Sequence, residues 1–339
     1  VLSNCSSVKK ESKVENVLIQ EDNLKKNFNS NIEINLNKII KRKSFRELKN
    51  NYGRHNIKII SYNKNKYKIK KIKNFRNFEP NIVFDEQGFV FFEGKGTILK
   101  YDYSGNLIWK KNYYSKQEKK SKILINFSLD NKNLLIYDNI SKYYKINLET
   151  GELIWMKRSP SKFNSQIKIF DDKFYAVNSE NVIFCISLIN GEIIWNYKTE
   201  NFFIKENKKL SIIIDNRIVV FSNSMGDITA LNAYDGSFLW QTPTQNNKIY
   251  AESISLSTSD LVLEDDSIFF SNNKNEFYSL NKNNGFVNWK QSINSDIRPI
   301  LTEKILFTVS SEGILFVVDS VNGNIVKSQD LFSKFKKKK

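Results

Sequence analysis

Side chains able to do acid–base, nucleophilic or metal chemistry are scarce in this chain. His55 is its only histidine and Cys5 and Cys185 its only cysteines, which removes the common zinc, haem and histidine-base arrangements. Acidic residues gather only at Asp171-Asp172 and Glu264-Asp265-Asp266. Each run precedes a strand-like stretch and reads as a hairpin turn, whereas a calcium site needs about six to eight oxygens converging on one point. No nucleophile–base pair and no phosphate-binding loop is evident. The pattern that does recur is aromatic: all five tryptophans close the same pentapeptide, at Gly105–Trp109, Gly151–Trp155, Gly191–Trp195, Gly236–Trp240 and Gly285–Trp289. A regularly placed indole can stack on a quinone or a sugar, or it can pin one structural repeat to the next.

The spacing favours pinning. Successive glycines, including Gly323 of a sixth copy that carries Lys327 in place of tryptophan, are 46, 40, 45, 49 and 38 residues apart. That is the period of a four-stranded propeller blade. Asn147, Ser187, Asn232, Asn281 and Asp319 stand four residues before their glycines, and Asp102 three before Gly105, so a polar turn-former marks each loop. Ahead of these come alternating stretches such as Gly226 to Leu231, and ahead of those short apolar runs such as Leu134-Leu135-Ile136-Tyr137 and Ile218-Val219-Val220-Phe221. Such patterning predicts strands joined by tight turns. The expected fold is all-β, a β-propeller of four-stranded antiparallel blades, with six units visible and seven or eight when complete. Glycine supplies the positive φ the turn needs, and the tryptophan four residues on reaches the neighbouring blade. An indole burying about 150–250 Å² at about 25 cal/mol per Å² gains at most about 4–6 kcal/mol, which no isolated blade can realise.

The ends of the chain read differently. The chain opens at Val1, so it is expected to be processed or a fragment, and Val1-Leu2-Ser3-Asn4-Cys5 resembles the end of a bacterial lipoprotein signal peptide, with Cys5 as the lipidation site. Residues 1–7 are then a lipobox remnant, 8–44 a flexible basic tether and 45–339 the propeller, clearest over 85–327. Ile57 to Tyr62 and Tyr67 to Ile72 look like strands of a ring-closing blade. Residues 8–80 hold 20 basic against 7 acidic side chains and the last six residues add five lysines, which leaves 28 basic and 29 acidic over 81–333. The net charge of +17 therefore sits at the ends. A basic tether beside a lipid anchor favours an anionic membrane surface, although coding at low GC content inflates Lys and Asn in the same way. No nucleic-acid reader motif or basic stripe is evident, and no apolar run is long enough to span a membrane as a helix. After Asp330 to Phe335 no closing strand follows, as in a C-terminally truncated copy.

Gly226-x-Ile-x-Ala-Leu-Asn followed by Asp235-Gly-x-x-x-Trp240 resembles the repeat shared by pyrroloquinoline-quinone enzymes and by BamB, the lipoprotein of the bacterial outer-membrane β-barrel assembly machinery. The resemblance covers residues 85 to about 327. Its BamB branch implies a non-catalytic scaffold without a cofactor, lipid-anchored on the periplasmic side of the outer membrane. Its partners would be a BamA-like subunit and unfolded outer-membrane proteins, and the protein would be a monomer within that complex. The docking loops of that family match Phe202 to Lys205 and Ser255 to Thr258, which nominates Phe203, Ile204, Lys205, Ser257 and Thr258. The quinoprotein branch implies a Ca²⁺-bound quinone, a catalytic aspartate and usually an adjacent cysteine pair, and no two cysteines here are adjacent. A quinone-dependent oxidoreductase and a propeller sensing a ligand on its axis are the alternatives.

Overall fold

The computed structural model describes residues 51–53, 82–200, 209–244, 257–302 and 304–332. Among these the chain is all-β apart from one 3-10 turn at Glu118–Lys120. It forms six four-stranded antiparallel sheets, each with its strands in chain order. Blade 1 comprises β1 (Val83–Phe84), β2 (Gly88–Phe92), β3 (Thr97–Asp102) and β4 (Leu107–Asn112). Blade 2 comprises β5 (Ile125–Asp130), β6 (Asn133–Asp138), β7 (Lys142–Asn147) and β8 (Leu153–Arg158). Blade 3 comprises β9 (Lys168–Phe170), β10 (Lys173–Val177), β11 (Val182–Ser187) and β12 (Ile193–Lys198). Blade 4 comprises β13 (Ile212–Asp215), β14 (Ile218–Ser222), β15 (Ile228–Asn232) and β16 (Phe238–Thr242). Blade 5 comprises β17 (Val262–Glu264), β18 (Ser267–Asn272), β19 (Glu276–Asn281) and β20 (Val287–Gln291). Blade 6 comprises β21 (Ile300–Thr302), β22 (Ile305–Val309), β23 (Ile314–Asp319) and β24 (Ile325–Asp330).

The core lies between blades rather than within them. Successive side chains of a strand point to opposite faces, so Leu134 and Ile136 of β6 pack with Val90 and Phe92 of blade 1, whereas Leu135 and Tyr137 pack with Phe174 and Ala176 of blade 3. Both faces of a central strand are covered, which is why these runs are continuously apolar. Outer strands differ: in β4 only Trp109 is buried, and Leu107 and Ile108 beside it are exposed.

The first strand is short in every blade except the second, and these short strands left the weakest trace in the sequence. β5 lies beside β1 and β9, and β9 beside β13, so these strands form the inner wall of the propeller. In blades 2 to 5 the inner hairpin turns through two residues, led by Asn131, Asp171, Asn216 and Asp265 with φ of 48°, 51°, 50° and 49°. Asn and Asp tolerate this left-handed region better than most residues. The acidic runs at 171–172 and 264–266 are therefore turn chemistry. The candidate strands at 57–62 and 67–72, the tether and His55 lie outside the described residues. Asn51–Gly53 is described, and it lies on the inner wall instead of extending a blade.

Candidate functional site

Each tryptophan joins two blades by the same contact. The indole Nε1 of Trp109 donates to the carbonyl of Leu148 at 3.1 Å, and Trp155, Trp195, Trp240 and Trp289 donate to Leu188, Ala233, Lys282 and Ser320 at 3.0, 3.3, 2.9 and 2.9 Å. The ring then lies against the glycine three residues beyond that carbonyl: Trp109 on Gly151, Trp155 on Gly191, Trp195 on Gly236, Trp240 on Gly285 and Trp289 on Gly323. A β-carbon at Gly191 would stand 2.7 Å from the Trp155 ring. The same glycine has φ +74° and its N–H bonds the Ser187 carbonyl at 2.9 Å. A bulge lies beside each tryptophan, a feature that can re-aim a side chain: Cys185 opposes Trp195 while Ile186 opposes Ile193, so Ile194 is the extra residue. Gly105 has no indole over it and Lys327 replaces one, so the staple runs unbroken only from blade 1 to blade 6.

Two recurring features escaped the sequence. Buried lysines reinforce the first two staples: Lys100 reaches the Leu148 carbonyl at 3.2 Å and Asp85 at 2.8 Å, and Lys145 reaches the Leu188 carbonyl at 3.1 Å and Asp130 at 3.0 Å. Side-chain oxygens also organise the turn between the second and third strands. Asp138 accepts the N–H groups of Ile140 and Lys142, Asn178 those of Glu180 and Val182, and Asn223 those of Met225 and Asp227. Burial raises the pKa of Asp138, whose carboxylate also accepts the Tyr114 hydroxyl at 2.7 Å. The signal was available as Asp or Asn four or five residues before the third strand begins.

The inner wall and the turns beside it carry a second set of polar contacts. Asn51, Tyr52 and Gly53 lie across blades 3 to 5: Ile214 N–H donates to the Asn51 carbonyl and Leu263 N–H to the Tyr52 carbonyl, both at 2.9 Å. The Tyr52 hydroxyl bonds Asp215 at 2.8 Å above a shallow recess of about 230 Å³ lined by Asp215, Leu263, Asp265, Asp266 and Lys282. Lys282 holds Asp215 at 2.5 Å and Asp266 at 3.1 Å. Elsewhere on the wall Arg298 pairs with Asp260 at 2.9 Å. Burial and then Arg298 push the ammonium of Lys168, 2% exposed, down to about 7 against the opposing pull of Asp260. Among the described residues no three His, Cys, Asp or Glu side chains gather closely enough to hold a metal ion. Cys185 is buried, and burial pushes its thiol up to about 11, which makes it a packing residue rather than a nucleophile.

The nominated docking positions are divided. Phe203, Ile204, Lys205 and Cys5 lie outside the described residues. Ser257 is half-buried, with its N–H on the Asn273 side chain at 2.9 Å and its hydroxyl on Asp296 at 3.0 Å. Thr258 is 6% exposed and bridges Asn272, so its side chain offers a partner nothing; burial against the neighbouring strand is the reason.

Six stapled blades with a glycine turn before each indole define a β-propeller of the PQQ-like repeat class. The chain belongs to the family described as outer membrane protein assembly factor BamB, which matches residues 94–329. An uncharacterized protein of Rickettsia conorii is 24% identical over 199 residues, covering 54% of this chain and 45% of its own length. BamB of Legionella pneumophila is 25% identical over 137 residues, covering 39% of this chain and 33% of its own. The chain thus spans less than half the length of these curated relatives. In three dimensions BamB from Moraxella catarrhalis aligns with a TM-score of 0.62 at 16% identity, over 74% of this chain and 75% of that one. A europium-containing methanol dehydrogenase aligns with a TM-score of 0.57 at 11% identity, over 74% and 68%. At such identity both likenesses concern the fold.

Proposed function

We propose that this protein is a non-catalytic, membrane-anchored scaffold in outer-membrane β-barrel assembly, docking on a BamA-like subunit from the periplasmic side through the loops around 202–205 and 255–258, with Cys5 carrying the lipid. The family match over residues 94–329 carries this reading. It is supported by what the recurring chemistry is used for in the fold: the indoles are committed to blade carbonyls and glycines, and the acidic runs to turns and to Lys282. The methanol dehydrogenase likeness keeps a quinoprotein oxidoreductase as the second reading.

The test is affinity capture of the full-length protein from outer-membrane extracts, with mass spectrometry of what is retained and an absorbance scan of the same eluate. Co-recovery of a barrel-forming subunit, weakened by the Phe203→Ala, Ile204→Ala double change and with no chromophore present, is the expected result. Release of the protein from membranes by Cys5→Ser is expected as well. A calcium-dependent quinone chromophore recovered without those partners overturns the proposal.

A further inference from the structure

Three consecutive residues from outside the repeats touch three blades and the segment leading into a fourth. The side-chain amide of Asn51 donates to the Ile169 carbonyl of blade 3 at 2.9 Å, while the carbonyls of Asn51 and Tyr52 accept N–H groups from Ile214 of blade 4 and Leu263 of blade 5. The Gly53 carbonyl accepts from Arg298, just ahead of blade 6, at 3.5 Å. The two amides lie on inner strands whose other edges are already paired within their sheets. Asn51 and Tyr52 form a turn and offer their carbonyls to two different inner strands, so the segment crosses the wall from blade to blade.

The contacts also select side chains. The Tyr52 ring packs with the core between blades 4 and 5 and its hydroxyl reaches Asp215. Gly53 has φ +66°, and a β-carbon there would lie 2.0 Å from the Leu261 carbonyl, so only glycine fits. Main-chain pairing for affinity, one aromatic pocket and one glycine-only position are the attributes of a peptide-recognition slot rather than of incidental packing.

We propose that the inner wall of blades 3 to 5 is a binding site for a short peptide turn carrying an aromatic residue followed by glycine, and that Asn51–Gly53 is its internal ligand, occupying the site in cis. The inference is independent of the docking loops and of the lipid anchor. A peptide in trans meets a site that is mostly filled, and an apparent affinity falls in proportion to the open fraction, about tenfold if one molecule in ten is open.

A fluorescein-labelled peptide of residues 48–56 tests this against the full-length chain by anisotropy, using wild type, Gly53→Val and the milder Tyr52→Ala. Near-ultraviolet circular dichroism of the tryptophans reports whether the blades stay assembled. The expected result is binding to both folded variants about tenfold tighter than to wild type, and none by a peptide with alanine at the tyrosine position. Equal binding to all three proteins, or no binding to a folded variant, overturns the proposal. So does loss of the tryptophan signal in both variants, since the segment is then a fixed part of the ring and not an exchangeable ligand.

Discussion

The six-membered ring of Trp155 lies against the bare α-carbon of Gly191 on the next blade, and its Nε1 bonds the Leu188 carbonyl at 3.0 Å. One side chain thus satisfies a turn carbonyl and covers a glycine that could carry no side chain of its own. Gly191→Ala forces a β-carbon into the ring and a left-handed φ on an L-residue. About 1–2 kcal/mol for the conformation and about 1–3 kcal/mol for overpacking are expected, read as a lower urea midpoint. Trp155→Phe keeps most of the apolar contact and loses the hydrogen bond, for about 1 kcal/mol. Gly105→Ala, with no indole above it, is expected to carry the conformational cost without a clash against a tryptophan.

Lys100 is fully buried and its ammonium contacts Asp85, 11% exposed, at 2.8 Å. Burial opposes ionisation of Asp85, but the Lys100 ammonium and the Gly88 and Gln87 N–H groups outweigh it and lower its pKa. Asp85→Ala strands the lysine charge and is expected to destabilise by about 3–5 kcal/mol, whereas Lys100→Met with Asp85→Ala together is expected to recover most of that loss. A double-mutant cycle by chemical denaturation measures the difference.

Lys168 supplies a pH dependence of known sign. Its folded-state pKa of about 7 lies below the ordinary 10.5, so between these values the unfolded chain holds a proton that the folded chain does not. Stability from this group rises with pH from about 7 to 10.5, and the full penalty applies below 7. Lys168→Met is expected to raise the thermal midpoint at pH 7 and to remove that rise from the pH profile.

Glu118 acts in the opposite range. Burial works against its charge, but the Ser115 N–H and the Lys142 ammonium hold its pKa down to about 2, against an ordinary 4.5. It takes Lys142 at 2.9 Å and also pairs with Arg158, tying the connection between blades 1 and 2 to blade 2. The stabilisation is complete above about pH 4.5 and is lost as pH falls toward 2. Glu118→Gln is expected to weaken the fold at pH 7 and to leave acid unfolding less steep across that interval.

The repeat, the strand runs, the glycine turns and the hairpin role of Asp171-Asp172 were legible because each depends on local chemistry: period-two alternation, positive φ and turn-forming side chains need no partner to be recognised. The three-residue inner strands were not, since a segment as short as Lys168–Phe170 carries too little alternation to stand out. Nor did composition reveal that Lys100 and Lys145 would be buried, because a lysine in an amphipathic strand is ordinarily read as its solvated face, and only the neighbouring blade's carbonyl and a carboxylate make burial tolerable. The loop containing Ser257 and Thr258 looked like one surface, and the bridge to Asn272 turned Thr258 inward.

By itself, then, the sequence determined the all-β class, the blade period and the residues that join one blade to the next, since these follow from spacing along the chain. Tertiary structure alone decided which carbonyl each indole bonds and which charges lose their water. It also placed Asn51–Gly53, more than a hundred residues from its partners, on the inner wall. Contacts of that separation are set by how the blades stack around the axis, and no local pattern in the chain encodes them.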